Sequence, residues 1–221
     1  NFLRSRLRGE VTKFQNNNAG LHFRFLLGPK GFEWPSLDQN GLTSWPGGIS
    51  KWHRPVFTVR RISDAADWID VDIALHQGGR VTKWLNEIKI GDKIAIKGPS
   101  GSKMPKADQM FLFGDETAMP VIMRIIENVP INTEVWATIA LRDPEDLQKF
   151  TMDEKLFIEV VDMRDKEKLL NALKESIELM CGGYLFFAAE KTQAVKAREL
   201  IRSIPVSVGT AKIASYWTRN L

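Results

Sequence analysis

The stretch Arg54-Pro55-Val56-Phe57-Thr58-Val59-Arg60-Arg61 places an aromatic ring, a hydroxyl and several cations on one short extended segment. On a strand, Phe57 and Val59 point one way while Thr58 and Arg60 point the other. A flat, phosphate-bearing aromatic ligand needs an apolar wall for its face, a hydroxyl or amide for its heteroatoms and a cation for its charge. These residues supply all three. A plain strand with one solvated basic face fits the same pattern.

Two more segments carry possible chemistry. In Asp72-Ile73-Ala74-Leu75-His76-Gln77-Gly78-Gly79-Arg80-Val81-Thr82 a strand runs into two glycines and a helix start. Backbone amides at such a start can hold a pyrophosphate, although strand–Gly–Gly–helix turns are common and His76 fits a structural hydrogen-bonding role equally well. In Leu112-Phe113-Gly114-Asp115-Glu116-Thr117-Ala118-Met119-Pro120 a strand end opens a helix, the place where α/β sheets bind ligands. Its two carboxylates oppose a pyrophosphate laid on that helix start, which favours ribose, nicotinamide or adenine contacts. Asp115 also reads as a simple helix cap. Gly98-Pro99-Ser100-Gly101 resembles a phosphate loop only superficially, and no Gly-x-x-x-x-Gly-Lys-Ser/Thr pattern occurs, so a P-loop nucleotidase is excluded.

One cysteine, Cys181, rules out an intramolecular disulfide and every four-cysteine metal centre. His22, His53 and His76 have no metal-ligand spacing. No metal site is expected, and a reducing, cytoplasmic setting is the default for such cysteine usage. No apolar run of about 18 residues is available to cross a bilayer, and the basic start (Arg4, Arg6, Arg8) has no apolar segment after it to make a secretory signal. With 31 Lys+Arg against 27 Asp+Glu in 221 residues, the net charge of +4 is mild and mixed along the chain. This argues against a dedicated nucleic-acid binder and permits a local basic mouth for an anion.

The elements that must position these residues change character midway. Residues 8–14, 21–27, 56–62, 68–75 and 93–97 read as short strands, with a loop at 16–20 and a long Gly-, Pro- and Trp-rich loop over 30–53. A short helix is expected over 81–88, and Gly98-Pro99 ends the last of these strands. Together they predict an antiparallel β-barrel. In the second half, strands at 110–113, 134–141, 156–161, 184–189 and 212–217 alternate with helices at 118–128, 166–180 and 193–204. That alternation predicts a parallel α/β sheet covered on both faces. Domains of 1–105 and 106–221 follow.

Seven pieces in order resemble the siderophore-interacting protein family, flavin-dependent ferric-siderophore reductases of the ferredoxin-reductase superfamily. They are the strand 55–61, Val71–His76, the Gly-rich turn to Trp84, Gly98-Pro99-x-Gly101, Gly114-Asp115-Glu116-Thr117-Ala118-x-Pro120, Ala189-Glu190 and Tyr216-Trp217-x-Arg219. The fifth is the most specific. The resemblance implies FAD on the barrel, NADH or NADPH on the α/β domain and a ferric siderophore as substrate. Phe57 stands where the family has Tyr against the isoalloxazine, with Thr58 and Val59 beside it. The family's preceding Arg is replaced by Pro55, which leaves Arg54 and Arg60 as the phosphate candidates. Asp72, His76, Gly79, Val81 and Thr82 are expected along the pyrophosphate and adenosine, and Gly114, Asp115, Thr117, Ala118 and Trp217 complete the cofactor contacts.

Electrons are then expected to pass from NAD(P)H through FAD to Fe(III), which needs no catalytic acid and no protein metal ligand. Lys51, Arg80, Lys103, Lys106 and Arg219 are candidates for meeting the anionic chelate. Arg142, after a sheet strand, suits a 2′-phosphate, while Asp143 beside it suits a free ribose. The alternatives are a ferredoxin-reductase-like flavoprotein that exchanges electrons with a protein carrier such as ferredoxin, and a barrel that binds single-stranded nucleic acid on its aromatics.

Overall fold

A computed structural model describes residues 1–14, 20–103, 105–150, 154–180, 182–204 and 209–219. The loop read over 16–19 and Cys181 lie outside the described residues. The chain forms two compact units, one built from residues 3–14 and 20–102, the other chiefly from residue 103 onward with residues 1–2.

The first unit contains β1 (Phe2–Arg8), β2 (His22–Leu26), a hairpin of β3 (Ser36–Leu37) and β4 (Thr43–Ser44), β5 (Val56–Thr58), β6 (Arg61–Ile62), β7 (Trp68–Ala74), helix α1 (Arg80–Leu85) and β8 (Ala95–Ser100). The sheets run β1-β7-β6 and β5-β2-β8. β2 pairs antiparallel with β5 and β8, and β6 pairs antiparallel with β7. Ile69, Val71 and Ile73, alternate residues of β7, pack with Phe23, Phe25, Leu21 and Val59 into one core, each side chain contributing about 1.5–3 kcal/mol on burial. The opposite face of β7 is ionic. Arg4 grips Asp72 through two bonds of 2.6 and 2.8 Å, and Arg6 grips Asp70 through two of 2.8 and 2.9 Å.

Three expectations for this unit are corrected. The first strand is 2–8 rather than 8–14, because the period-two arginines of β1 pair with the aspartates of β7 and the chain turns after Gly9. The segment 56–62 is not one flat strand. The Val59 amide bonds Leu21 in one sheet and the Arg60 amide bonds Asp70 in the other, so the chain turns a corner between sheets. Gly98-Pro99 does not end β8. Gly98 lies against Phe23, where a Cβ would come within 2.8 Å of the Phe23 Cβ, and the strand runs on to Ser100.

The second unit contains β9 (Gln109–Asp115), α2 (Met119–Ile126), β10 (Glu134–Leu141), β11 (Leu156–Asp162), α3 (Lys168–Ser176), β12 (Tyr184–Glu190), α4 (Lys191–Ser203) and β13 (Thr210–Trp217). All four strand pairings are parallel, in the order β11-β10-β9-β12-β13. Met110 and Leu112 face α2, whereas Phe111 and Phe113 face α3 and α4, so both faces are covered as the alternation requires. β9 runs two residues beyond the expected end at Phe113. Gly114 belongs to the strand because its missing Cβ makes room for Ala118 and Ile122 of the crossing segment. The chain reverses its winding between β9 and β12, and the carboxyl ends of those strands form the fold's natural ligand edge.

Candidate functional site

In the barrel unit, Phe57 is half-buried on β5, its ring edge-on to Phe25 at 5.1 Å. Phe25 in turn rests on Phe23 and Trp84, so the core fixes where the Phe57 ring stands. Thr58 is also half-buried and pairs with His22 across the sheet. Beyond it the corner changes what faces outward. Val59 is wholly buried in the core, and Arg60, 1% exposed, lies 3.5 Å from the buried Asp72. The corner thus corrects three expectations. The side chains of Val59, Arg60 and Asp72 are structural, committed to the core and to an ion-pair cluster rather than open to a ligand. Arg54 is exposed, with its guanidinium 5.3 Å over the ring of Trp45.

Gly78 adopts φ +77°, a left-handed turn that favours glycine, and Gly79 then opens α1. The His76 ring fills the space a Cβ on Gly79 would need, and the His76 amide donates to Thr82 Oγ1 at 3.3 Å. No side chain caps this helix start, although the Gly79 amide itself donates to the His76 carbonyl at 3.2 Å, and Val81 and Thr82 lie half-buried beside the turn. Lys51 and the exposed Arg80 belong to the same unit. Burial, aided by the charge of Arg80, holds the His53 imidazole below its usual range.

In the α/β unit the ligand edge is a rim of carboxylates, each already partnered. Asp115 is 1% exposed. One of its oxygens accepts from the Thr117 amide (2.9 Å) and hydroxyl (2.6 Å), and the other accepts from the Trp217 indole N–H at 2.6 Å. Burial pushes the Asp115 carboxyl above its ordinary range, with the bonds from Thr117 and Trp217 pulling the other way. Glu116 takes Arg142 in a two-bond fork at 2.7 and 2.8 Å, which commits the cation that the sequence offered to a 2′-phosphate. Glu190 caps α4 by accepting from Thr192, and its second oxygen accepts from the Arg219 amide at 3.3 Å. Ala118 is fully buried and Gly114 serves helix–strand packing, so neither offers a side-chain contact. Lys103, Lys106 and Arg219 are exposed in this unit. A polar hollow of about 400 Å³ lined by Asp108, Gln109, Glu134 and Gly183 lies at the opposite, N-terminal edge of the sheet.

Two features were missed from the sequence. The Glu116–Arg142 fork joins residues 26 apart that become neighbours only when β9 and β10 pair. The charge is also unevenly divided. Residues 1–102 hold 15 Lys+Arg against 9 Asp+Glu, while residues 103–221 hold 16 against 18. Counting each half separately would have found it. Among the described residues no cluster of His, Cys, Asp or Glu is able to hold a metal ion, and no helix is long and apolar enough to cross a membrane.

Comparison with known proteins covers both halves. Residues 1–103 match the family model for the siderophore-interacting FAD-binding domain, and residues 107–220 match that for siderophore-interacting protein. The chain is 25% identical over 236 residues to the ferric vibriobactin reductase ViuB of Vibrio cholerae, covering 100% of this chain and 85% of that protein. It is 28% identical over 118 residues to an NADPH-dependent ferric-chelate reductase of Escherichia coli, covering 49% of this chain and 44% of that protein. A siderophore utilization protein from T. fusca shares the fold, with a TM-score of 0.84 and 22% identity over 100% of this chain and 88% of that one.

Proposed function

Since the chain belongs to the siderophore-interacting protein family, we propose that it is an FAD-dependent ferric-siderophore reductase, taking electrons from NAD(P)H and releasing chelated iron as Fe(II). The observation that carries this reading is the match of the barrel half to a siderophore-interacting FAD-binding domain and of the α/β half to the same family. ViuB and the E. coli protein, both named as reductases of ferric chelates, support the substrate class. Nothing comparable supports ferredoxin as partner.

The barrel residues fit a flavin. Phe57 presents a ring whose position the core fixes, Thr58 lies next to it, and the start of α1 after Gly78-Gly79, which no side chain caps, offers its first-turn amides to phosphate. When bound, FAD accepts a hydride from the nicotinamide and passes electrons singly to ferric iron. Phe57 is proposed against the isoalloxazine face and Thr58 at its polar edge. His76, Val81 and Thr82, with the Gly79 turn, are proposed along the pyrophosphate and adenosine. Because Arg60 is buried against Asp72 and Arg54 is turned onto Trp45, backbone amides rather than an arginine meet the phosphates. On the α/β unit, Thr117 and the Asp115–Trp217 pair are proposed to hold the nicotinamide nucleotide, with Asp115 fixing the indole.

Hard oxygen chelators bind Fe(III) far more tightly than Fe(II), so reduction itself frees the metal. A protein need not ligate iron itself to act on it, provided that the chelate is kept close, and Lys51, Arg80, Lys103, Lys106 and Arg219 are proposed to attract its negative charge.

The test is anaerobic absorbance spectroscopy of the FAD-loaded protein. Flavin absorbance is expected to bleach on addition of NADH or NADPH and to return on addition of a ferric siderophore. Protein that takes up no FAD, or reduced flavin indifferent to every ferric chelate, would overturn the assignment. Uptake of FAD also removes the nucleic-acid alternative.

A further inference from the structure

In a parallel nucleotide-binding sheet the adenosine ribose falls near the end of the strand that follows the first crossover helix. An acid there bonds a free 2′-hydroxyl, whereas an arginine with its fork open holds a 2′-phosphate. In this chain β10 is that strand. It follows β9 and α2 and ends at Leu141, with Arg142 and Asp143 next. The end of β11 adjoins it, since Leu141 stands opposite Asp162 in the parallel register.

The arginines at these two strand ends are both tied to carboxylates. Arg142 gives its Nε and Nη2 to the two oxygens of Glu116, at 2.8 and 2.7 Å. Glu116 is 5% exposed, whereas the Arg142 side chain is 37% exposed. A phosphate that took this fork would strand a buried carboxylate without its cation, the costly way to break an ion pair. Arg164 is held through its Nε to both oxygens of Asp162, at 2.9 and 3.1 Å. Asp143 is exposed and accepts from the Glu145 amide at 3.0 Å through one oxygen. Residues 142–146 and 162–167 together carry six carboxylates against three cations. Such an edge accepts a hydroxyl donor and repels a phosphate.

We propose that the chain selects NADH over NADPH, with Glu116 as the specificity-determining residue. Glu116 keeps the Arg142 fork from a 2′-phosphate, and Asp143 accepts from the ribose 2′-hydroxyl. The proposal rests on the reductase reading above and deepens it by naming the electron donor. Glu116 acts through Arg142, so it is a positioning residue rather than a ligand contact. NADPH, which the name of the E. coli relative specifies for that protein, is the competing outcome.

ADP-ribose and 2′-phospho-ADP-ribose differ by that phosphate alone and cannot reduce flavin, so they isolate recognition from hydride transfer. FAD-loaded protein is titrated with each by calorimetry at fixed ionic strength. ADP-ribose is expected to bind about tenfold or more tightly. Glu116→Gln keeps the side chain's size but not its charge, and is expected to shrink that ratio about tenfold by strengthening the 2′-phosphorylated ligand. Glu145→Gln removes one exposed charge from the same edge and is expected to move the ratio by less than about twofold. A gain confined to Glu116→Gln therefore belongs to the released guanidinium. Asp143→Asn is expected to weaken ADP-ribose several-fold, which keeps the idea exposed to refutation if Glu116→Gln retains no FAD. Equal or reversed affinities in the unaltered protein, or a ratio that neither Glu116→Gln nor Asp143→Asn moves, would overturn the proposal. Flavin bleaching separates the two levels. Equal kcat/KM for NADH and NADPH removes only the discrimination, whereas bleaching by neither removes the reductase reading and this inference with it.

Discussion

At the scale of single residues, Phe57 and Asp115 make opposite kinds of statement. Phe57 keeps a ring at the surface because Phe25 supports it from beneath. Phe57→Ala is expected to lower FAD retention by about tenfold or more, read as flavin absorbance per protein after gel filtration, and unchanged flavin content would remove Phe57 from the site. Asp115 is buried and its folded-state value is raised above the ordinary 3.8. The stability that its neutral form contributes is present in full below that ordinary value and is lost as pH rises through the folded-state value. The Trp217 indole N–H reports the change directly, since it donates to Asp115. Its proton resonance is expected to titrate with a midpoint above 3.8, and Asp115→Asn to abolish the step. A midpoint at or below 3.8 would contradict the burial argument. Phe57, Thr58 and the His76 turn, proposed above for the cofactor, stood out in the sequence because residue type alone marked them. Val59, Arg60, Asp72 and Ala118 were misread because burial, not type, decides their role, and burial follows from a corner and a helix crossing that no local pattern announces.

Among the elements, β1 and β7 show what an ion-pair ladder does inside a sheet. Asp72 is held by an outer arginine, Arg4, and an inner one, Arg60, whose side chains are 40% and 1% exposed. Asp72→Ala removes the buried carboxylate that both arginines share, and a loss of about 3–5 kcal/mol in unfolding free energy is expected. Arg4→Gln removes only the outer partner and is expected to cost no more than about 1 kcal/mol. Urea denaturation of both variants checks the contrast, and equal losses would mean that Arg60 draws no stabilisation from Asp72. The strands of the α/β unit were the easiest to read. Glu134–Leu141 appears with its expected bounds, because strands covered on both faces are continuous apolar runs. The barrel strands were harder. β1 hides behind its arginines, and β5 and β6 look continuous until two sheets claim different parts of them.

For the molecule as a whole, the uneven charge is the property no single strand reveals. Residues 1–102 carry a surplus of positive charge and residues 103–221 a slight deficit. If that surplus helps to capture an anionic ferric chelate, its KM is expected to rise several-fold between about 0.05 and 0.5 M salt as screening shortens the reach of the field. A KM independent of salt would mean that the surplus plays no part in capture. The corner at Val59 and Arg60 bears on re-engineering. A residue inserted there would slip the register of one sheet against the other and bury the wrong side chains on both. New selectivity would therefore be grafted more safely between Pro29 and His53, where length can vary without unlacing the barrel.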